Sequence, residues 1–402
     1  MFQLNRHSDY RKNLDPVDAT SLGMAAAEDA EAYLAWRGNA APTPLRSLPA
    51  LATELDLGAI HVKDEGSRLG LGSFKALGGS YAVVRLVLEE ASRQLGRNVA
   101  MNELHSPEVR AIAGEMTVAC ATDGNHGRSV AQGAQLVGAK SAIFVHAGVS
   151  EERVGAIARF GALMVRVKGT YDDSVAEAAR VASEKGWTVV SDTSWPGYER
   201  VPALVMRGYT VMVREALRQL PAPPTHVFVQ AGVGGVAAAV GGHLSLVLGA
   251  ARPTFVVVDP ARAACLFESA RAGRVVKVEH GKPTVMAMLE CYEPSLIAWR
   301  VLYRVADAFM TVEEEDAIDA MNRLARPQGK DPAIAAGESG GAGLAGVLRA
   351  AADPEIREAL DLSELSRVFV INTEGPTDAA RYHQLVGMRP EGVIGAGDLA
   401  GA

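Results

Sequence analysis

Short apolar runs alternate with stretches of helical periodicity through the middle of the chain. Met116-Thr117-Val118-Ala119-Cys120-Ala121 is apolar and partly β-branched, and it predicts a strand. Beyond it Val130, Ala131, Ala134 and Val137 recur at steps of three and four, the spacing of one helix face. Ser141-Ala142-Ile143-Phe144-Val145 predicts the next strand, and Ser150 caps a helix that opens on Glu151-Glu152-Arg153. Leu163 to Val167 reads as a strand, Asp172 to Glu184 as a helix, and Trp187 to Ser191 as another strand. The rhythm returns at His226-Val227-Phe228-Val229-Gln230, which a glycine turn and an apolar helix follow, and again at Phe255 to Val258 and Val368 to Ile371. Strands apolar on both faces, alternating with helices, predict parallel doubly wound α/β sheets. The first ~10 residues and the segment from Gly395 to Ala402 are expected to fray.

At 402 residues the chain is long enough for two domains with separate cores. Apolar residues at 48% and charged residues at 22% place it among soluble globular enzymes. The net charge of −7 favours neither a nucleic acid nor an anionic membrane surface as partner. No apolar run approaches the ~20 residues that span a bilayer. The start, Met1-Phe2-Gln3-Leu4-Asn5-Arg6-His7, lacks the apolar core of a signal peptide. Cys120, Cys265 and Cys291 form no C-x-x-C pair, which suits a reducing cytoplasm, although Cys265 and Cys291 remain open to meeting in space.

Four short segments carry candidate chemistry. In Gly72-Ser73-Phe74-Lys75-Ala76-Leu77-Gly78-Gly79-Ser80, an apolar helix follows Lys75, so the lysine falls in its first turn. The positive end of the helix disfavours a protonated amine there and favours a nucleophile able to form a Schiff base. By position alone, a surface lysine at a helix start is the simpler reading. Gln230-Ala231-Gly232-Val233-Gly234-Gly235 is a strand-to-helix glycine turn whose exposed N–H groups suit a phosphate. A dinucleotide site remains open from that turn alone, but the spacing is not G-x-G-x-x-G, and Asp259 is only a rough candidate for a ribose partner. Thr122-Asp123-Gly124-Asn125-His126-Gly127 lies between a strand and a helix, where open sheets bind ligands and where a capped turn is the plainer alternative. Ile371-Asn372-Thr373-Glu374 places a hydroxyl at the end of the last strand.

Taken together, the order and content of these segments resemble the fold-type II pyridoxal 5′-phosphate (PLP) enzymes, the tryptophan synthase β-subunit and threonine dehydratase group. Within that group the chain is most similar to the diaminopropionate ammonia-lyases. The further carriers are Asp192-Thr193-Ser194-Trp195-Pro196-Gly197-Tyr198, Pro283-Thr284-Val285-Met286-Ala287 and Gly337-Glu338-Ser339-Gly340. The resemblance implies two doubly wound open sheets, with PLP between a large domain (residues 1–89 and 193–402) and a small one (90–192). It implies Lys75 as the Schiff-base lysine, Phe74 beside the ring and Asn125 at the ring's 3′-oxygen. Gly232, Val233, Gly234 and Gly235 would take the phosphate, and Thr373 would face the pyridine nitrogen. A neutral hydroxyl there leaves the ring a weaker electron sink, which favours β-elimination over transamination.

Asp123 is implied as the base for the D-isomer of the substrate, on the face opposite Lys75, and Asp192, working with Lys75, as the base for the L-isomer. Thr122, Asp123, Gly124, His126 and Asp192 are then the substrate-binding residues. The implied reaction converts 2,3-diaminopropionate to pyruvate and two ammonia by way of aminoacrylate, in a cytoplasmic homodimer with no metal. Met288, Glu290 and Tyr292 are bulkier than the residues these lyases tend to carry in the loop Pro283 to Pro294. Serine, threonine or hydroxyaspartate therefore stay open as substrates, and so does a non-catalytic or NAD(P)-binding α/β protein.

Overall fold

The alternating pattern closes into two separate sheets in a computed structural model that describes residues 1–38 and 41–393. The strands are β1 (Phe2–Leu4), β2 (Leu45–Ser47), β3 (Ala59–Asp64), β4 (Thr117–Ala121), β5 (Lys140–His146) and β6 (Leu163–Val167). They continue with β7 (Thr188–Val189), β8 (His226–Gln230), β9 (Thr254–Pro260), β10 (Ala308–Val312) and β11 (Arg367–Asn372). One sheet has seven strands in the order β1-β10-β9-β8-β11-β3-β2, and the other has four in the order β6-β5-β4-β7. The four-stranded sheet is parallel throughout. The seven-stranded sheet is parallel except at its edges, where β1 and β2 run antiparallel. Every residue of β8 and β10 is buried, as expected for strands covered on both faces.

Two expectations change. The first residues do not fray: β1 pairs with β10, and the Asn5 side-chain amide donates to the carbonyls of Tyr303 and Ala306 at 2.9 and 2.7 Å. The strand expected over Trp187 to Ser191 shrinks to Thr188–Val189, because the backbone then turns toward Asp192. The segment from Gly395 to Ala402 lies outside the described residues.

The chain divides into two compact units. Residues 1–24, 42–74 and 212–393 form one; the described residues of 25–41 and 75–211 form the other. The helix Lys75–Leu95 belongs with the four-stranded sheet because it packs tightly on the helix Asn125–Val137. Ser80 donates its backbone N–H to Ser129 Oγ at 2.9 Å, and a Cβ on Gly133 would stand 2.6 Å from Ser80 Cα.

In the seven-stranded unit, a buried charge cluster fixes the chain leading to Lys75. Arg68 donates to both carboxylate oxygens of Glu65 at 2.7 Å, to both of Glu215 at 2.9 and 2.6 Å, and to Thr43 Oγ1 at 2.9 Å. Lys63 Nζ bonds Thr43 O, Gln219 Oε1 and Glu215 Oε2 at 2.7 to 2.8 Å. Two cations and two carboxylates are thereby neutralised inside the protein, as burial of charge requires. Lys63 is a sheet residue despite its charge.

Candidate active site

Lys75 is the first residue of its helix, and its Nζ is hydrogen-bonded to Asp192 Oδ2. Burial opposes ionisation of Asp192, but the Lys75 ammonium overcomes it and holds the carboxyl well below the usual carboxylate range. Lys75 and Asp192 are each about four-fifths covered, with side-chain exposures of 21% and 14%. His126 is buried and its Nε2 lies 3.0 Å from the Val190 carbonyl, so the hydrogen sits on Nε2. Its Nδ1 then turns a lone pair toward Asp192 Oδ2, 4.0 Å away. Burial, opposed by Asp192, pulls the imidazole below its ordinary value and favours the neutral ring.

The turn after β4 holds the next group. Thr122 Oγ1 accepts the backbone N–H groups of Gly124 and Gly127, both at 3.0 Å, and so ties down the start of the Asn125–Val137 helix. Asn125 opens that helix and is buried. Asp123 lies apart from the Lys75–Asp192 pair in its bonding. Its Oδ1 stands 3.0 Å from His146 Nε2, and both side chains are partly exposed. His146 did not emerge from the sequence because a histidine closing an apolar strand carries no motif. The signal is register: Ala121 of β4 pairs with Phe144 of β5, so two residues further on Asp123 and His146 are neighbours.

The glycine turn belongs to the seven-stranded unit. Ala231 N–H bonds the Val258 carbonyl, and the first helical bond beyond the turn runs from Ala238 N–H to Gly234 O. The amides before Ala238 therefore have no intrahelical partner. Gly234 adopts φ +98°, and a Cβ on Gly232 would lie 2.9 Å from Cys291 Sγ and 3.3 Å from Leu289 Cα. The turn thus needs glycine for conformation at one position and for room at the other. Cys265 Sγ bonds the Gly232 carbonyl at 3.5 Å, and all three cysteines are thiols.

Gln230 Nε2 donates to Thr373 Oγ1 at 2.8 Å and to the Gly340 carbonyl at 2.6 Å. Thr373 Oγ1 accepts there, which leaves its own hydrogen for another acceptor. Phe74 N–H bonds the Thr373 carbonyl at 2.9 Å, so the residue preceding Lys75 is anchored to the end of β11. The loop Pro283 to Pro294 abuts the turn through Leu289 and Cys291. Its bulkier residues bond within the loop: Tyr292 OH donates to Glu290 Oε1 at 2.6 Å, and Glu290 Oε2 accepts Thr284 N–H at 3.1 Å. Asp259, the rough candidate for a ribose partner, is buried and accepts Leu266 and Phe267 N–H at 2.9 and 2.8 Å, which makes it a helix cap.

A family model described as "Pyridoxal-phosphate dependent enzyme" matches residues 37–374. The diaminopropionate ammonia-lyase of Escherichia coli (strain K12) is 39% identical over 352 residues, 86% of this chain and 87% of that protein. The diaminopropionate ammonia-lyase of Salmonella typhimurium (strain LT2) is 36% identical, over 87% of this chain and 88% of its own length. The chain belongs to the diaminopropionate ammonia-lyase family of pyridoxal-phosphate dependent enzymes. A solved structure of the Escherichia coli ammonia-lyase in complex with an aminoacrylate-PLP azomethine reaction intermediate superposes with a TM-score of 0.85 at 34% identity, covering 96% of this chain and 97% of that one. The cofactor of this ammonia-lyase family member is therefore pyridoxal 5′-phosphate.

The residues present fit that group. The glycine turn offers unused amides to a phosphate, and the Thr373 hydroxyl is oriented by Gln230. Ser73 Oγ is buried beside Phe74 with no partner among the described residues, in keeping with a polar group that the chain itself does not supply. Among the described residues no cluster of three His, Cys, Asp or Glu side chains is placed to hold a metal ion. No helix there is long and apolar enough to cross a membrane.

Proposed function

We propose that this protein converts 2,3-diaminopropionate, as either isomer, to pyruvate and two ammonia. The observation that carries the reading is the Lys75–Asp192 pair at the helix start, in a chain that shares over a third of its residues with ammonia-lyases. Bound pyridoxal phosphate supplies an electron sink for the pair of electrons left at Cα. In this reading Lys75 would hold the cofactor covalently, with its amine free to be exchanged for that of the substrate. Gly232, Val233, Gly234 and Gly235 donate backbone N–H groups to the phosphate. The Thr373 hydroxyl donates to the ring nitrogen, Asn125 bonds the 3′-oxygen, and Phe74 packs beside the ring. Thr122, Gly124 and His126 shape the site for the substrate.

Asp192, acting with Lys75, takes the Cα proton of the L-isomer, and Asp123 takes that of the D-isomer. The Cβ–N bond then breaks and the first ammonia leaves with a proton. Released aminoacrylate hydrolyses in water to pyruvate and the second ammonia. We read the working form as a cytoplasmic homodimer acting on a small amino acid.

A second reading keeps the β-elimination but changes the substrate to serine, threonine or hydroxyaspartate. The Glu290–Tyr292 pair, in the loop that abuts the glycine turn, favours it. Pyruvate release measured with D- and L-2,3-diaminopropionate against serine and threonine separates the two. Diaminopropionate is expected to be the best substrate, and its failure to turn over would refute the first reading. Asp192→Asn should abolish most turnover of the L-isomer and Asp123→Asn that of the D-isomer.

A further inference from the structure

The four-stranded unit presents two acids at the C-terminal ends of adjacent strands, and each acid has its own nitrogen partner. Asp192 follows β7 and is paired with Lys75; Asp123 follows β4 and is paired with His146 at the end of β5. The imidazole is not a casual neighbour. Gly148 donates its backbone N–H to His146 Nδ1 at 3.1 Å, so Nδ1 must be the acceptor and Nε2 must carry the hydrogen. Nε2 lies 3.0 Å from Asp123 Oδ1, a buried oxygen with no other hydrogen-bond partner among the described residues. The arrangement is the one by which a positioned imidazole N–H holds a carboxylate in a single orientation, leaving the second oxygen to act on a substrate. The Asp123 carboxylate facing Nε2 draws His146 above its ordinary value, partial burial opposes it, and Arg166 on the next strand opposes it too. The Gly148 amide, which donates into the ring, likewise resists a second ring proton. Arg166 is itself occupied by the carbonyls of Ala147 and Val149 and by Glu151, so it leaves the Asp123–His146 contact to the imidazole.

We propose that His146 is a positioning residue that orients Asp123 for the D-isomer of the substrate and so sets the balance between the two isomers. The inference rests on the reading of Asp123 as the base for the D-isomer. His146 itself touches no reacting atom.

The side chains available make a clean test. Glutamine places an amide nitrogen near the imidazole Nε2 position, whereas asparagine reaches only as far as Nδ1. In the PLP-loaded enzyme, His146→Asn should lower kcat for D-2,3-diaminopropionate about tenfold or more, the loss expected when a charge-assisted hydrogen bond is removed, with the L-isomer within about twofold of wild type. His146→Gln should recover most of the D-isomer rate. In an Asp123→Asn background His146→Asn should add nothing. Equal losses on both isomers, or an undiminished D-isomer rate in His146→Asn, would overturn the proposal. The parallel single variant separates the two layers. If Asp123→Asn removes D-isomer turnover while His146→Asn does not, only the role of His146 fails. If Asp123→Asn leaves the D-isomer rate intact, the assignment of Asp123 fails with it.

Discussion

Replacing Arg68 by methionine probes the chain that delivers Lys75. The guanidinium is buried and spends its donors on Glu65, Glu215 and Thr43. Without it, Glu215 keeps Lys63 at 2.7 Å, but Glu65 is left fully buried with the Thr43 hydroxyl at 2.6 Å. The loss is therefore that of one orphaned buried carboxylate, about 3–5 kcal/mol. Burial works against ionisation of Glu65, and Arg68 and then Lys63 overcome it and depress its pKa. A depressed carboxylate contributes stability above its unfolded pKa and loses it as pH falls through the folded value. In the variant that contribution is already gone, and Glu65 can take up a proton instead. The difference between wild type and variant should thus be largest near neutrality and shrink toward acid pH. Urea unfolding followed by circular dichroism at about pH 8 and about pH 5 measures it. A loss under about 1 kcal/mol at neutral pH, or the same loss at both pH values, would refute the reasoning.

Gly234→Ala forces an L-residue to φ +98° and sets its Cβ 3.1 Å from Ala298 Cβ. PLP affinity should fall about tenfold for a strain of one to two kcal/mol, read by titrating the apoprotein with PLP, and an unchanged affinity would argue against the turn as phosphate site. Asp259 is pushed from 3.8 up to about 8 by burial, against the two amides that donate to it. A raised carboxylate favours the fold below its unfolded pKa and loses that contribution as pH rises through the folded value. Thermal melts of wild type should accordingly decline as pH rises through about 8, and Asp259→Asn, which keeps the acceptor, should flatten that decline.

The central alternation was legible because β4, β5, β8, β9 and β11 are apolar runs bounded by turns or helix caps. β3 was not, because His61 and Lys63 break its apolar pattern; Lys63 is neutralised by Glu215, on a helix that begins more than 130 residues later. β1 is three residues long and exists only because β10 offers it an edge. The start of the Lys75 helix, the Thr122 turn and the glycine turn are local events, and turn chemistry in the sequence marks them. The pairing of Lys75 with Asp192 spans 117 positions and depends on the order of β4 and β7. His146 needed the β4–β5 register as well, which no motif encodes.

That Lys75 carries the cofactor is the claim on which every assigned role depends. The most direct measurement is to load the protein with PLP, reduce it with borohydride, digest it and map the pyridoxyl-lysine by mass spectrometry. The account predicts one modified peptide, bearing Lys75, with the visible absorbance of the lysine-bound cofactor absent from Lys75→Ala. Modification of a different lysine, or a wild-type protein that takes up no PLP, would contradict it.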